Sequence, residues 1–294
     1  MSVPLKFRHN KGTRFMREID SGQIRECVRR LCIEANCHLS SDIKECIENS
    51  LHGESWSGAR EILERIIENY KIADGADRPI CQDTGMACVF LKVGQDVHIN
   101  GDVTEAVNEG VRLGYRDGYL RKSVVRDPLD RVNTGDNTPA MIYFELVQGD
   151  KIEITVAPKG FGSENMSKIA MLRPSDGLEG VSDFVLRTVE EAGPNPCPPI
   201  VVGVGIGGTF DKAAYLSKLA LIRPVDQRNK EPFYAALEDE LLERINALGI
   251  GPQGFGGRTT ALAVNIETMP THIAGLPVAV NINCHVTRHK TEVI

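Results

Sequence analysis

Between residues 23 and 71 apolar side chains recur every three to four positions: Ile24, Cys27, Val28, Leu31 and Cys32, then Ile62, Leu63, Ile66, Ile67 and Tyr70. That spacing predicts amphipathic helices, each laying one stripe on a core. Ser21 reads as the cap of a helix over 23–37, Ser40 or Ser41 as that of a second ending near 50, and Ser57 as that of a third reaching 71. About the first 75 residues therefore read as a helical lid or brace.

From Arg78 onward the texture changes to short β-rich runs separated by Gly, Pro, Asn and Asp. These predict strands over 86–93, 141–147, 151–157, 200–205, 260–266 and 278–283. Helical spacing returns at 103–115, 178–192, 212–220 and 232–248. Strands and helices in irregular order predict an α+β fold of mixed α/β character, a helical amino-terminal part followed by mixed sheets flanked by helices. At 294 residues the chain can bury a full core. A single domain over 1–294 is expected, helical over 1–75 and α/β over 76–294.

Composition narrows the function classes. Apolar residues make up 41% and charged residues 25% of the chain, ordinary for a soluble globular protein, which sets aside disordered and collagen-like readings. No apolar run nears the roughly 18 to 20 residues that span a bilayer, and residues 1–20 lack the apolar stretch of an export signal. A cytoplasmic protein with no membrane partner is expected. The net charge of −6 disfavours nucleic acid, whose binding needs a basic face. An anionic substrate would then require a locally basic site, which gives weight to any Arg beside a reactive residue.

Eight cysteines in such a chain read as thiols, used for metal binding, catalysis or packing. Cys27, Cys32 and Cys37 step by five along one helix, turning about 500° each time, so they spiral instead of converging. No C-x-x-C pair is present, which removes zinc-ribbon and thioredoxin-like patterns. With Cys46, and with Cys88 in the strand over 86–93, they read as small core hydrophobes. Cys81, Cys197 and Cys284 differ in setting. Cys81 lies in a loop between Pro79 and Gly85, Cys197 in the Pro-rich run 193–199, and Cys284 at the end of the strand over 278–283. Thiols on braced loops and strand ends are suited to aiming sulfur at a shared point. A cubane iron–sulfur cluster is held by thiolates, usually four; three leave one iron with an open position, a Lewis acid for hydroxyl and carboxylate oxygens. That is hydro-lyase chemistry. Packing remains the other use open to these thiols, because convergence is a property of the folded chain.

Gly203, Gly205 and Gly208 have the G-x-G-x-x-G spacing of a dinucleotide site. The acidic residue at the required distance, Asp226, follows Arg223 and Pro224 instead of closing a second strand. A tight strand-to-helix approach is the favoured reading, and no dinucleotide affinity is expected.

Several strings surround the three thiols: CQDTG at 81–85, LRKS at 120–123, VRDPL at 125–129, NTGDNTP at 133–139, KGFGSENMS at 159–167, NPCPP at 195–199, VGVGIGGT at 202–209, GPQGFGGRTTAL at 251–262 and PTHIAGLPVAVNINCH at 270–285. In this order they resemble the class I, iron–sulfur fumarate hydratases, specifically the alpha subunit of the two-subunit form, in a family that includes L-tartrate dehydratase alpha subunits. The resemblance implies that Cys81, Cys197 and Cys284 hold a [4Fe-4S] cluster with one open iron, sensitive to oxygen, at which a small dicarboxylate substrate chelates. It implies substrate contacts at Gln82, Asp83, Arg121, Gly160, Ser163, Glu164 and Asn165, and catalytic roles for Asp83 and His272. It also implies a separate beta subunit carrying the catalytic base, in a heterotetramer of two alpha and two beta chains, with this chain inactive alone. Where many members carry an all-glycine stretch, this chain has Lys159-Gly160-Phe161-Gly162.

The implied reaction is hydration of fumarate to (S)-malate. L-tartrate or mesaconate dehydration is the alternative, because pocket lining and not fold sets substrate, and a non-catalytic iron–sulfur or regulatory subunit is a second. The residues alone leave other roles open: an Asx-turn for Asp83, surface ion pairs for Arg126 and Arg131, a structural role for His272, a neighbour's role for His285 and a solvated strand-end charge for Lys159.

Overall fold

The computed structural model describes residues 16–294. The expectation that no export signal is present falls, for residues 1–15, outside the described residues. Among the described residues no helix is long and apolar enough to cross a membrane. The chain opens with β1 (Arg17–Asp20), α1 (Ser21–Cys37), α2 (Ser41–Gly53) and α3 (Ser57–Ala76), and continues with β2 (Met86–Gly94), β3 (Val97–Asn100), α4 (Val103–Asp117), β4 (Met141–Val147), β5 (Ile152–Lys159) and α5 (Phe161–Glu164). Then come β6 (Lys168–Leu172), α6 (Gly177–Ala192), β7 (Ile200–Gly207), α7 (Phe210–Ala220), α8 (Pro232–Ala247), β8 (Ala261–Met269), β9 (Leu276–Asn283) and β10 (Lys290–Val293).

The α+β expectation holds: two four-stranded sheets, ordered β10-β5-β2-β4 and β6-β9-β7-β8, each mix parallel and antiparallel pairs. Helix α1 begins at Ser21, earlier than expected, because Asp20 and not Ser21 caps it, its carboxylate accepting the Gly22 N–H at 2.7 Å. Its predicted stripe is buried and packs with α4 against Ala87, Val89 and Leu91 of β2. Helices α2 and α3 bury Ile43, Ile47, Leu63 and Ile66 in a separate cluster that also receives Cys81 and Cys284. A third cluster joins α6 and α8 to one face of β7, β8 and β9. The opposite face of β7 carries Gly203 and Gly205, where a Cβ would lie 2.2 Å from the Ser217 carbonyl and 2.1 Å from that of Ala213 in α7. The glycine motif is therefore a close helix-on-strand approach, as favoured.

Candidate functional site

The three loop thiols come together through strand register and explicit hydrogen bonds. β7 runs antiparallel to β9 with Val201 opposite Asn283, so Cys197, just before β7, and Cys284, just after β9, leave the same end of one sheet. The His285 N–H donates to the Cys197 carbonyl at 3.3 Å, and the His285 Nδ1 lies 3.0 Å from the same oxygen. Cys197 itself sits at φ 55°, a left-handed conformation that bulky side chains resist. Pro194, whose carbonyl accepts the Cys197 N–H at 3.0 Å, and Gln253, which donates to Pro198, hold the run in place. Proline without an N–H and a turn of this kind leave no ladder to pair with, so the thiol is exposed.

Cys81 arrives from the other sheet, on the loop preceding β2. Tyr115 donates its hydroxyl to the Thr84 and Gly85 carbonyls at 2.7 and 3.0 Å, and Asn137 donates to Gly85 at 3.2 Å. Gly85, at φ 72°, has the Lys159 backbone 2.8 Å from where a Cβ would stand. Only glycine lets the loop lie this close to β5. Arg288 then ties the loop to the segment after β9 by donating Nη2 to the Asp83 carbonyl. Burial pushes the Cys284 thiol above its ordinary value, the partial shielding of Cys197 by its surroundings does the same, and proximity to Cys81 raises both further. For Cys284 the charge of Arg288 works in the opposite direction.

A cleft of about 540 Å³ opens beside this group, lined by Asp83, Val125, Arg131, Phe161 and Asn165 among others. Asp83 has its carboxylate fixed at both oxygens: Oδ1 accepts the Gly85 N–H and Oδ2 the Phe161 N–H, each at 3.0 Å. The Asx-turn is thus present, and it aims the carboxylate instead of replacing a role in the cleft. A Cβ at Gly160 would stand 3.2 Å from Oδ2. Arg121 donates Nη1 to the Gln82 side chain at 2.6 Å, both residues being exposed. That leaves one edge of the guanidinium to engage a carboxylate.

Other expected residues lie elsewhere. Ser163 is buried, accepting from Lys159 at 3.1 Å and donating to the Gly160 carbonyl at 3.2 Å. Glu164 faces inward, salt-bridged to Lys159 at 3.3 Å and to Lys218, and accepting from Asn281 at 2.9 Å. Burial alone would raise its carboxyl, but the two ammonium groups hold it down to about 2. Lys159 is not the solvated strand-end charge considered above: it is 6% exposed and donates to the Ile282 carbonyl at 2.7 Å. His272 is exposed in the turn between β8 and β9, with Nδ1 accepting the Ala274 N–H at 3.2 Å. It stands at the end of the sheet opposite Cys284, with all of β9 between them, about 25 Å at roughly 3.3 Å per residue. Within one chain the fold does not bring it to the thiols. Lys218, Asn281 and Arg288 are the residues that sequence reasoning missed. Only Arg288 carried a signal, as a cation four positions past Cys284.

Among the described residues no three His, Cys, Asp or Glu side chains are close enough to hold a single metal ion. Ligands of one zinc all lie within about 2.3 Å of it, whereas those of a cubane sit on separate irons and stand further apart. Three cysteines on converging loops, with Cys27, Cys32, Cys37 and Cys88 buried elsewhere, fit the cluster's donor set.

Two mixed sheets present three cysteine-bearing loops beside a cleft. The chain matches the family model described as fumarate hydratase (fumerase) over residues 25–293 and belongs to that family of hydro-lyases. It is 45% identical over 273 residues to a Methanocaldococcus jannaschii protein provisionally named as an L(+)-tartrate dehydratase alpha subunit, covering 90% of this chain and 95% of the relative. It is 33% identical over 276 residues to the L(+)-tartrate dehydratase subunit alpha of Escherichia coli O157:H7, covering 92% and 91%. The Shigella sonnei protein of the same name is 32% identical over 276 residues, with the same coverage.

Proposed function

We propose that this chain is the cluster-bearing alpha subunit of a [4Fe-4S] hydro-lyase that dehydrates L(+)-tartrate, completed by a separate beta subunit. The observation that carries the reading is the joining of the three cysteine loops by the His285 to Cys197 and Arg288 to Asp83 hydrogen bonds. The names of the relatives support the substrate and the subunit organisation. Cys81, Cys197 and Cys284 would hold the cluster, which supplies, when bound, a Lewis acid for a hydroxyl and a carboxylate oxygen.

The chain's own residues do the rest from the cleft side. Asp83, its orientation fixed by two backbone N–H groups, keeps a lone pair on each oxygen free to accept or return a proton. Arg121, steadied by Gln82, pairs its free edge with a substrate carboxylate. Asn165 lines the approach and Gly160 leaves room beside the Asp83 carboxylate, while Ser163 and Glu164 act as positioning residues through Lys159. The opposing base is assigned to the beta subunit, in a complex of two alpha and two beta chains working in the reducing cytoplasm. His272 of the same chain has no place in this reading.

Anaerobic co-purification with the chain encoded beside it, followed by iron and sulfide analysis and steady-state assays, tests the proposal. The expected result is a loaded cluster and a higher kcat/KM for L(+)-tartrate than for fumarate, (S)-malate or mesaconate. Absence of iron and sulfide from anaerobic material refutes it. Turnover of fumarate but not tartrate selects the second reading, fumarate hydration, which the family description favours.

A further inference from the structure

Arg288 is 5% exposed, on the segment between Cys284 and β10. Its Nη2 donates to the Asp83 carbonyl, while Nε and Nη1 have no partner. Among the described residues no carboxylate pairs with it, whereas the chain's other buried cation, Lys159, has Glu164. Around it stand Lys159, Lys218, Asn283 and Cys88, lining a small pocket in which both lysines are already paired with Glu164 and Arg288 is not. The charge is felt at Cys284, Cys37, His285 and Tyr115.

An unpaired buried guanidinium costs several kcal/mol unless something anionic repays its lost hydration. Among the described residues none supplies a carboxylate to it, but the site supplies thiols. Three thiolates on a dipositive cubane core leave one net negative charge, and a fourth iron free for substrate. Reduction adds a second negative charge at the same place. A fixed cation close by therefore stabilises the reduced form more than the resting one, and opposes the oxidation by which such a cluster sheds its exposed iron.

We propose that Arg288 is a positioning residue of the cluster site: it supplies the buried countercharge of the three thiolates and fixes the Cys81 loop through the Asp83 carbonyl. This rests on the cluster reading above, which already uses the hydrogen bond from Arg288 to the Asp83 carbonyl, and adds to that residue a role for its charge. Arg288 is buried and lines a different pocket from the cleft that holds Asp83 and Asn165, so its charge tunes the cluster without touching substrate.

The test uses the anaerobically purified complex with Arg288→Gln, which keeps an amide donor for Asp83, and Arg288→Lys, which keeps the charge. Iron and sulfide content, the reduction potential of the cluster and the rate of iron loss in air are measured, with melting temperature as the folding control. Arg288→Gln is expected to lower the potential and to speed iron loss several-fold, while Arg288→Lys stays near the wild type in both. If Arg288→Gln fails to load a cluster where Arg288→Lys loads one, the charge is required for assembly and the proposal stands. It is overturned if loaded Arg288→Gln matches the wild type, or if both variants fail to load, which would make the guanidinium fork a structural brace only. A wild-type complex without iron and sulfide overturns the cluster reading itself, a separate result.

Discussion

Replacing Glu164 by glutamine leaves the shape of the loop after β5 nearly unchanged but removes the anion that pairs with both Lys159 and Lys218. An ordinary glutamate carboxyl titrates at 4.5, and these two ammonium groups hold this one at about 2. That difference is worth about 3 kcal/mol at neutral pH, at about 1.4 kcal/mol for each tenfold change in proton affinity. The general cost of removing one partner of a buried ion pair, about 3 to 5 kcal/mol, leads to the same place. Burial already holds Lys159 below its ordinary value, with Glu164 working against that shift and Lys218 adding to it. In Glu164→Gln the lysine is expected to give up its proton more readily, which keeps the loss near the lower figure. Melting should fall by roughly 6 to 10 °C at pH 7. A carboxyl whose folded value is depressed contributes fully above its unfolded value and loses that contribution as pH falls. The stability gap between wild type and Glu164→Gln, measured by urea unfolding, should therefore narrow by about 1 kcal/mol between pH 5 and pH 3.5. A gap below about 1 kcal/mol at pH 7 that stays flat across this range would refute the reasoning.

Other outcomes follow from the same geometry. Cys197→Ser or Cys284→Ser in the assembled protein should abolish cluster iron and activity, whereas Cys88→Ala, at a thiol buried in β2, should keep iron and sulfide at wild-type levels and lower only the melting temperature. Gly205→Ala drives a methyl to 2.1 Å from the Ala213 carbonyl and should cost about 3 kcal/mol in urea unfolding, since backbone of α7 must move. Arg121→Lys keeps the charge and loses the fork, so KM for the dicarboxylate should rise about tenfold or more with the reduction potential of the cluster unchanged.

The long elements were legible because their periods are driven by burial. The stripe of α1, the helices over 103–117 and 232–247, and the apolar run of β2 all face cores. β1, β3 and β10 were not, since each is a four-residue strand with no room for a pattern and exists only through its partner. The thiols were singled out by the Pro and Gly around them, but their meeting depends on the antiparallel register of β7 and β9, which no local signal encodes. His272 shows the opposite case. A motif can place a residue twelve positions before Cys284 without revealing that a strand carries the two to opposite ends of a sheet. Glu164 sits in the most conspicuous string of the chain, yet its charge is spent on lysines 5 residues behind and 54 residues ahead in sequence.

Cys197 and Cys284 belong to one sheet, and Cys81 to the approach of the other. Whatever binds all three thiols is then a rivet between two plates, not an ornament on one of them. Each plate has its own hydrophobic filling, and the seam between them at this end is carried by α2, α3 and a few hydrogen bonds. Removing the rivet should be felt as play along the seam, at Asp83 and Arg121 first, before either plate softens. Air-exposed protein would in that case be a looser machine whose substrate grip has slipped, and restoring its iron would have to realign the plates as well as refill the site.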